Sequence, residues 1–348
     1  MSPRPAGKHP TLLQVAQAAG TSVPTVSKVL RGGTDVSLET RARVMDAVQT
    51  VGYTRRSGNK LDGAPDETVR ADVIDLVVTH FEGSWANLVL AGVGREAAAA
   101  GMDVVLTLAD DPDVDWVSKV LRRRAIGTVV VLVDPTSRQF NTLTAAGAPV
   151  VLVESQGTPP AGAAKVGVAN WDGGRLAAEH LLSLGHRRLG VVAGHARHIY
   201  SRARVDGFRA AAETSDLGHA TVSVAYGAWE TEGAAAATHE LLDKDPRITG
   251  IFACSDPMAL GVYEALAARG LRIPEDVSVV GFDDLPEAHW ISPTLTTIRQ
   301  PTTELGATAV RLLLDLARDD ESTARLQTRM ELATELVARA SSGPAPHA

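Results

Sequence analysis

The chain of 348 residues holds one cysteine, 4% aromatic residues and no long apolar run. A single thiol, Cys254, rules out an internal disulfide framework. It lies in the apolar run GIFACS, which favours a buried structural thiol over a nucleophile. No run of about 18 apolar residues exists, so no membrane-spanning helix is expected. The N-terminal MSPRPAGKHP also lacks the apolar core of a secretory signal. Both absences point to a cytoplasmic protein. Catalytic signatures are missing too: there is no G-x-S-x-G, no P-loop and no H-E-x-x-H, and the ten histidines are scattered without ligand spacing. Neither an enzyme, a metal site nor a cofactor is expected. Gly92-Val-Gly94-Arg-Glu-Ala97 mimics a dinucleotide fingerprint, but it sits inside a helical run, where its glycines form no phosphate turn. Asp111, Asp113 and Asp115 mimic the start of a calcium loop, yet Trp116 stands where the turn needs glycine and Arg122 where the loop closes on glutamate. An acidic helix N-terminus is the plainer reading of that cluster.

What is present is unevenly charged. Net charge is -7, but residues 1–60 carry nine Lys/Arg against three Asp/Glu, so the head is +6 and the remainder -13. A length of 348 residues calls for two or three units. A basic head on an acidic body suits a polyanion partner for the head alone, with a solvated tail as the bland alternative.

The head has helical grammar. Thr11 and Gln14 form a capping-box pattern, and Leu12, Val15, Ala16 and Ala19 recur at helical spacing. Gly20 ends that helix, Ser22 is a natural N-cap for the next, and Pro24 is tolerated in its first turn. Val26, Val29 and Leu30 give the second helix a buried side. Ser37 caps a third helix, in which Val44, Ala47, Val48 and Val51 face inward before Gly52 stops it. Two short helices around a tight turn, buttressed by a third, predict a helix-turn-helix whose second helix lies in the major groove of DNA. Its outward residues are Val23, Pro24, Thr25, Ser27, Lys28 and Arg31. Hydroxyls hold phosphate oxygens, and Lys and Arg reach guanine edges or phosphates.

From Val73 onward, Val-rich runs (VIDLVVT, MDVVLTL, TVVVLV, PVVLVE, RLGVVAG, GIFACS, VSVVGFD) alternate with Ala- and Leu-rich helices. Near-continuous apolar strands belong to parallel sheets buried on both faces. Right-handed βαβ units, hence doubly wound α/β lobes, are predicted, and there are too many strands for one compact sheet. Two lobes would form a cleft at the strand C-termini. Those ends offer Glu154, Ser255, Asp256, Asp283, Asp284 and Gln300, with HARHIYSRAR after RLGVVAG. Of five tryptophans, Trp85, Trp171 and Trp229 fall near strand ends or segment starts. Carboxylates, an arginine and aromatic faces suit vicinal hydroxyls and a sugar ring.

The strings AQAAGTSVPTVSKVL and VSLETRARVMDAVQTVGY resemble the DNA-binding head of the lactose-repressor (LacI/GalR) family, without a gap from Thr11 to Tyr53. The resemblance implies that Val23, Pro24 and Lys28 occupy base-reading positions. It places Thr11, Ser22, Thr25, Ser27, Ser37, Thr40 and Tyr53 at phosphates. It continues through SRARVDGF, CSDPMALG, SVVGFDD and LTTIRQP, which are similar to that family's effector domain and to periplasmic sugar-binding proteins. It implies Arg204 and Asp283 as ligand holders, with Trp85, Glu154, Tyr200, Trp229, Ser255 and Gln300 lining the cleft. Ser255 stands where the family often carries asparagine. After Tyr53 the chain departs from the family: YTRRSGNKLDGAPDE lacks the usual hinge-helix signature, with Gly58 and Gly63 opposing helix. Leu61 is the one candidate wedge, and Arg55, Arg56 and Lys60 could meet backbone or a narrow minor groove.

The expected organisation is a helix-turn-helix at 10–54, a hinge or linker at 55–70 and an effector-binding, dimerising body at 71–348. Lobe 1 would comprise about 71–168 and 301–330, and lobe 2 about 169–300 and 331–342, with ELATELVARAS as a last strand in lobe 2. No leucine heptads follow, so a tetramerising tail is not expected. The resemblance implies a homodimeric repressor on a near-palindromic double-stranded operator, answering to a mono- or oligosaccharide. A purine-responsive regulator is the rival within the family. A transport solute-binding protein would share the body but have no use for the head.

Overall fold

In the head, local hydrogen bonds close each helix end. A computed structural model describes residues 10–30, 36–53, 71–79, 81–109, 115–214, 216, 219–318 and 329–346. Helix α1 (Leu12–Ala18) carries the full Thr11/Gln14 capping box, and Gly20 turns the chain at φ +61°. In α2 (Val23–Leu30) the Ser22 hydroxyl accepts from the Thr25 amide at 3.3 Å. In α3 (Leu38–Val51) Ser37 caps Thr40, and Gly52 closes the helix at φ +67°. Val15, Ala16, Ala19, Val26, Val29, Leu30, Val44, Ala47 and Val48 form one core. Helical spacing had marked these positions because the first contacts of so small a unit are i to i+4.

The body is two doubly wound α/β lobes. Lobe 1 runs β1 (Ala71–Val78), α4 (Ser84–Ala99), β2 (Asp103–Leu108), α5 (Trp116–Arg123), β3 (Ala125–Val131), α6 (Ser137–Ala145), β4 (Val150–Val153) and β5 (Ala164–Val168). Lobe 2 runs α7 (Asn170–Ser183), β6 (Arg188–Ala193), α8 (Ile199–Thr214), β7 (Thr221–Tyr226), α9 (Thr231–Lys244), β8 (Gly250–Ala253), α10 (Asp256–Ala268), β9 (Ser278–Asp283), α11 (Glu287–Trp290) and β10 (Thr296–Arg299). The chain then returns to lobe 1 with α12 (Thr302–Arg318) and β11 (Arg329–Leu332), and ends in lobe 2 with β12 (Glu335–Val337). The strand orders are β2-β1-β3-β4-β5-β11 and β7-β6-β8-β9-β10-β12. All pairings are parallel except β12 on β10. Apolar clusters cover both faces of each sheet. Among the described residues no helix is long and apolar enough to cross a membrane.

One expectation needs correction. ELATELVARAS is not a single strand: Met330–Leu332 still pair with β5 in lobe 1, and Glu335–Val337 pair with β10 in lobe 2. The crossing therefore falls after Leu332 rather than near Met330. It is pinned to the first crossing, because the Ala169 amide donates to the Leu332 carbonyl at 2.9 Å. The strands AKVGV and TVSVAY interleave polar or glycine residues with apolar ones, so they lack the near-continuous apolar run by which the other strands are recognised.

Helices of each lobe meet through glycine. A Cβ on Gly92 of α4 would lie 1.9 Å from the Thr303 carbonyl oxygen, and one on Gly306 of α12 would lie 2.3 Å from that of Val89. In lobe 2, a Cβ on Gly174 of α7 would lie 2.0 Å from the Arg204 carbonyl oxygen, and one on Gly207 of α8 would lie 1.9 Å from that of Trp171. The false dinucleotide fingerprint thus contains a helix-crossing glycine. Asp115, from the false calcium loop, caps α5 by accepting from the Ser118 amide at 3.0 Å; Asp111 and Asp113 lie outside the described residues.

Candidate functional site

Strand ends of the two lobes, carrying Glu154 and Asp283, converge on the buried Arg204 side chain. Burial of Gly174 and Gly207 against backbone brings α8 close to α7 and sets Arg204 beside Asn170. The guanidinium lies 3.6 Å over the Phe282 ring, donates to Asn170 Oδ1 at 2.8 Å and to the Cys254 carbonyl at 2.5 Å, and stands 3.7 Å from Asp283. A planar, permanently charged group so clamped keeps a fixed fork for hydroxyl or carboxylate oxygens.

Asp283 ends β9 with φ +121° and accepts from Gln300 Nε2 at 2.5 Å. Burial pushes its carboxyl up to about 7, against the pull of Arg204 and the Gln300 hydrogen bond. Glu154 follows β4 with φ +47°, accepting from the Val168 amide at 2.7 Å and from Asn170 Nδ2 at 3.2 Å. Its carboxyl is also raised by burial, with Arg204 opposing. Ala228 and Trp229 add φ +54° and +71°. Left-handed backbone at four non-glycine positions around one cleft marks a site that the fold holds against local preference.

An aromatic wall stands beside Arg204. Tyr200 and Trp229 ring centroids lie 5.9 and 5.7 Å from its guanidinium carbon. Trp229 lies flat on Gly194, where a Cβ would come within 2.1 Å of its ring. His198 orients both aromatics: Trp229 Nε1–H donates to His198 Nδ1 at 3.0 Å, and the Tyr200 hydroxyl is 3.1 Å from the same nitrogen. An indole N–H only donates, so Nδ1 is an acceptor and His198 is neutral. Burial, then His195 and Arg197, hold its pKa below the ordinary value, against Asp134. Protonation would put an N–H where two donors now point. Because the folded-state pKa is lowered, the native state binds fewer protons than the unfolded one, and stability falls as pH drops below about 6.5. The melting temperature is therefore expected to fall more between pH 7 and 5 in the wild type than in His198→Gln, which accepts but does not titrate. Parallel curves in differential scanning fluorimetry would discount the role of His198.

The structure thus gathers Glu154, Tyr200, Arg204, Trp229, Asp283 and Gln300. Ser255 lies next to Cys254, and its hydroxyl caps α10, accepting from the Met258 amide at 3.3 Å. Asp256 is wholly buried on Thr297 and Leu285, and Asp284 turns to Arg299 and Arg339, so neither faces a ligand as the strand ends had suggested. Trp85 packs from α4 onto the lobe 1 core. Its neighbour Ser84 donates across the cleft mouth to Glu287 of lobe 2, and the Ile199 amide donates to the Gln156 carbonyl at 2.8 Å. Asn170, His198 and Phe282 were missed by sequence reasoning. Asn170 and Phe282 sit inside ordinary-looking runs, while His198 stood in HARHIYSRAR without a distinguishing spacing.

On the head, Pro24 and Lys28 are exposed on α2, and Thr25 and Ser27 are half-buried beside them. Val23 is half-buried against the head core rather than fully outward. Thr11 and Ser37 are exposed at the starts of α1 and α3, Ser22 at the start of α2, and Thr40 is half-buried. Tyr53 is 9% exposed and packs in the head core. Arg31, Arg55, Arg56 and the hinge segment lie outside the described residues.

A helix-turn-helix head on a two-lobed α/β body with a charged, aromatic-walled cleft defines the class: a DNA-binding protein with a small-ligand cleft. Comparison with known proteins agrees. Residues 11–56 match the model for bacterial regulatory proteins of the lacI family, and residues 178–342 match the periplasmic binding protein-like domain. The chain is 33% identical to the HTH-type transcriptional regulator CelR of Thermobifida fusca, over 96% of this chain and 98% of the relative. It is 29% identical to the HTH-type transcriptional repressor PurR of Haemophilus influenzae (strain PittEE), over 95% and 98%. A solved CelR–cellobiose complex matches with TM-score 0.71 and 30% identity, over 95% of this chain and 99% of that one. The lac repressor dimer bound to operator and an anti-inducer matches with TM-score 0.68 and 26% identity, over 97% and 100%. The chain belongs to the LacI family of DNA-binding transcriptional regulators.

Proposed function

We propose that this protein is a repressor that binds a near-palindromic operator as a homodimer, with operator affinity set by a neutral sugar in the cleft. In this reading residues 10–54 read DNA, 55–70 link, and 71–348 bind effector and dimerise. The observation that carries it is the buried Arg204 fork beside Asp283 and Gln300, walled by Tyr200 and Trp229. Such a site offers bidentate hydrogen bonds to adjacent hydroxyls and an aromatic face to the ring. The similar CelR structure holds cellobiose. The same aromatic wall would also stack a purine, and the PurR relatives keep that reading as second. Chemistry on the ligand is not part of the proposal: the lone thiol, Cys254, is buried with its pKa pushed up to about 12.

On the DNA side, Pro24 and half-buried Val23 offer methyl contacts and no hydrogen bonds, which leaves Lys28 as the polar reader on α2. The two lobe arrangements then act as a two-state element, in which a ligand shifts operator affinity by as much as its preference for one state, typically about 1–3 kcal/mol.

The test is enrichment of genomic fragments on the purified protein at two salt concentrations, followed by addition of cellobiose or guanine. A recovered palindrome released by cellobiose supports the proposal. Binding that guanine strengthens, with no effect of cellobiose, replaces the sugar with a purine co-repressor, and enrichment without a shared sequence that vanishes in salt leaves only phosphate binding. On the recovered palindrome, Lys28→Ala is expected to weaken binding about 10-fold or more while leaving binding to random DNA nearly unchanged, since a base contact is worth about 1–3 kcal/mol. Equal loss on both DNAs, in a gel-shift titration, would reassign Lys28 to phosphate.

A further inference from the structure

Beside the Arg204 cluster the cleft opens sideways into a cavity of about 360 Å³, within the range of small-molecule sites. Its inner wall is shared with the site: Glu154, Asn170 and Tyr200. Its outer wall adds Lys165 on β5, Glu331 on β11 and Trp171 at the start of α7. Gly167 forms part of the floor, where a Cβ would strike Glu154 Oε1 at 2.7 Å; the glycine both seats Glu154 and keeps the floor open. Ser155 lines the same cavity, and its hydroxyl is buried with no hydrogen-bond partner among the described residues.

Two features choose the ligand chemistry. Charges of both signs line the space, Lys165 and Arg329 against Glu154, Asp172 and Glu331, with Arg329 paired to Glu331 and Asp172 to Arg175, so no excess of cations draws an anion. Trp171, 45% exposed, presents an indole at the mouth. Mixed donors and acceptors around an aromatic face suit a neutral polyol ring.

We propose that this cavity is a second subsite. It takes the next ring of an oligosaccharide whose first ring lies against Arg204 and Asp283, with Trp171 as its platform and Ser155, Lys165 and Asp172 bonding its hydroxyls. The inference rests on the sugar reading above, and it makes the effector at least a disaccharide.

The test is calorimetric titration of the full chain with glucose, galactose and xylose and with the β-linked disaccharide of each, for wild type, Trp171→Ala, Trp171→Phe and Ser155→Ala. The preferred disaccharide is expected to bind at least about 10-fold more tightly than its monosaccharide, the scale of one added aromatic contact. Trp171→Ala should erase that gain and leave the monosaccharide affinity in place, Trp171→Phe should restore most of it, and Ser155→Ala should lose part of it. Equal affinities for a sugar and its disaccharide, or a Trp171→Ala loss shared equally by both, would overturn the subsite alone. No affinity for any of these sugars overturns the sugar reading itself, and the subsite with it.

Discussion

Arg204→Ala is expected to abolish the response to ligand and to leave operator binding intact. The guanidinium meets Asn170, the Cys254 carbonyl, Phe282 and the Asp283 carboxylate together, and it belongs to α8 of lobe 2 rather than to the head. Losing the fork's hydrogen bonds from a charged group to ligand oxygens costs about 1.5–3 kcal/mol, a loss of about 10-fold or more in ligand affinity. A secondary effect tests the electrostatics. Arg204 holds down both Asp283 and Glu154, whose carboxyls burial already raises. Without it both rise further. A carboxyl with a raised folded-state pKa contributes stability that is lost as pH climbs through that pKa. The variant's melting temperature should therefore fall more steeply than the wild type's as pH is raised from 6 to 8. Arg204→Lys keeps a charge without the fork and should recover that pH profile better than it recovers ligand affinity. A gel shift with the recovered palindrome, with and without sugar, decides the first claim: lost DNA binding with ligand response intact would contradict it.

The second large effect is structural. Gly174→Ala is expected to destabilise lobe 2 by about 3 kcal/mol or more, because the added Cβ would stand 2.0 Å from the Arg204 carbonyl oxygen and 3.0 Å from its Cα. That atom is backbone and cannot swing aside; α7 and α8 must separate. At about 2–4 °C per kcal/mol, the lobe 2 transition should drop by roughly 6–12 °C. Ligand affinity should fall as well, since α8 carries both Tyr200 and Arg204. Gly94→Ala is the control. Nothing lies within 4 Å of a Cβ there, and it is interior to α4, so the change should be neutral or stabilising by about 0.5–1 kcal/mol. If scanning calorimetry shows Gly174→Ala and Gly94→Ala melting alike, the close helix approach is not what seats Arg204.

These two variants show where reading the sequence stopped. Arg204 was named from the string SRARVDGF, as the family resemblance implies it. Gly174 was not, because its reason for being glycine is a carbonyl oxygen on another helix. Gly92 was noticed only to be set aside as a nucleotide motif, although its neighbour across α12 explains it. Asp256 looked like a ligand at a strand end, yet it is wholly buried and holds Thr297. A strand end tells that a polar side chain is near the cleft; it does not tell which way the side chain turns.

The sequence by itself determined the elements. The Thr11/Gln14 box, the Ser22 and Ser37 caps, the stops at Gly20 and Gly52 and the Val-rich strands all act within about four residues or along one strand, so their spacing is their physics. Only the tertiary structure decided the site. Asn170 reaches Arg204 across 34 residues, and Cys254 across 50. His198 orients Trp229 across 31 residues, and Gly207 receives the Trp171 carbonyl. Contacts of that separation exist only after two sheets have twisted, packed their helices and closed on each other. No local pattern encodes which carbonyl, ring or amide will then stand beside a given side chain.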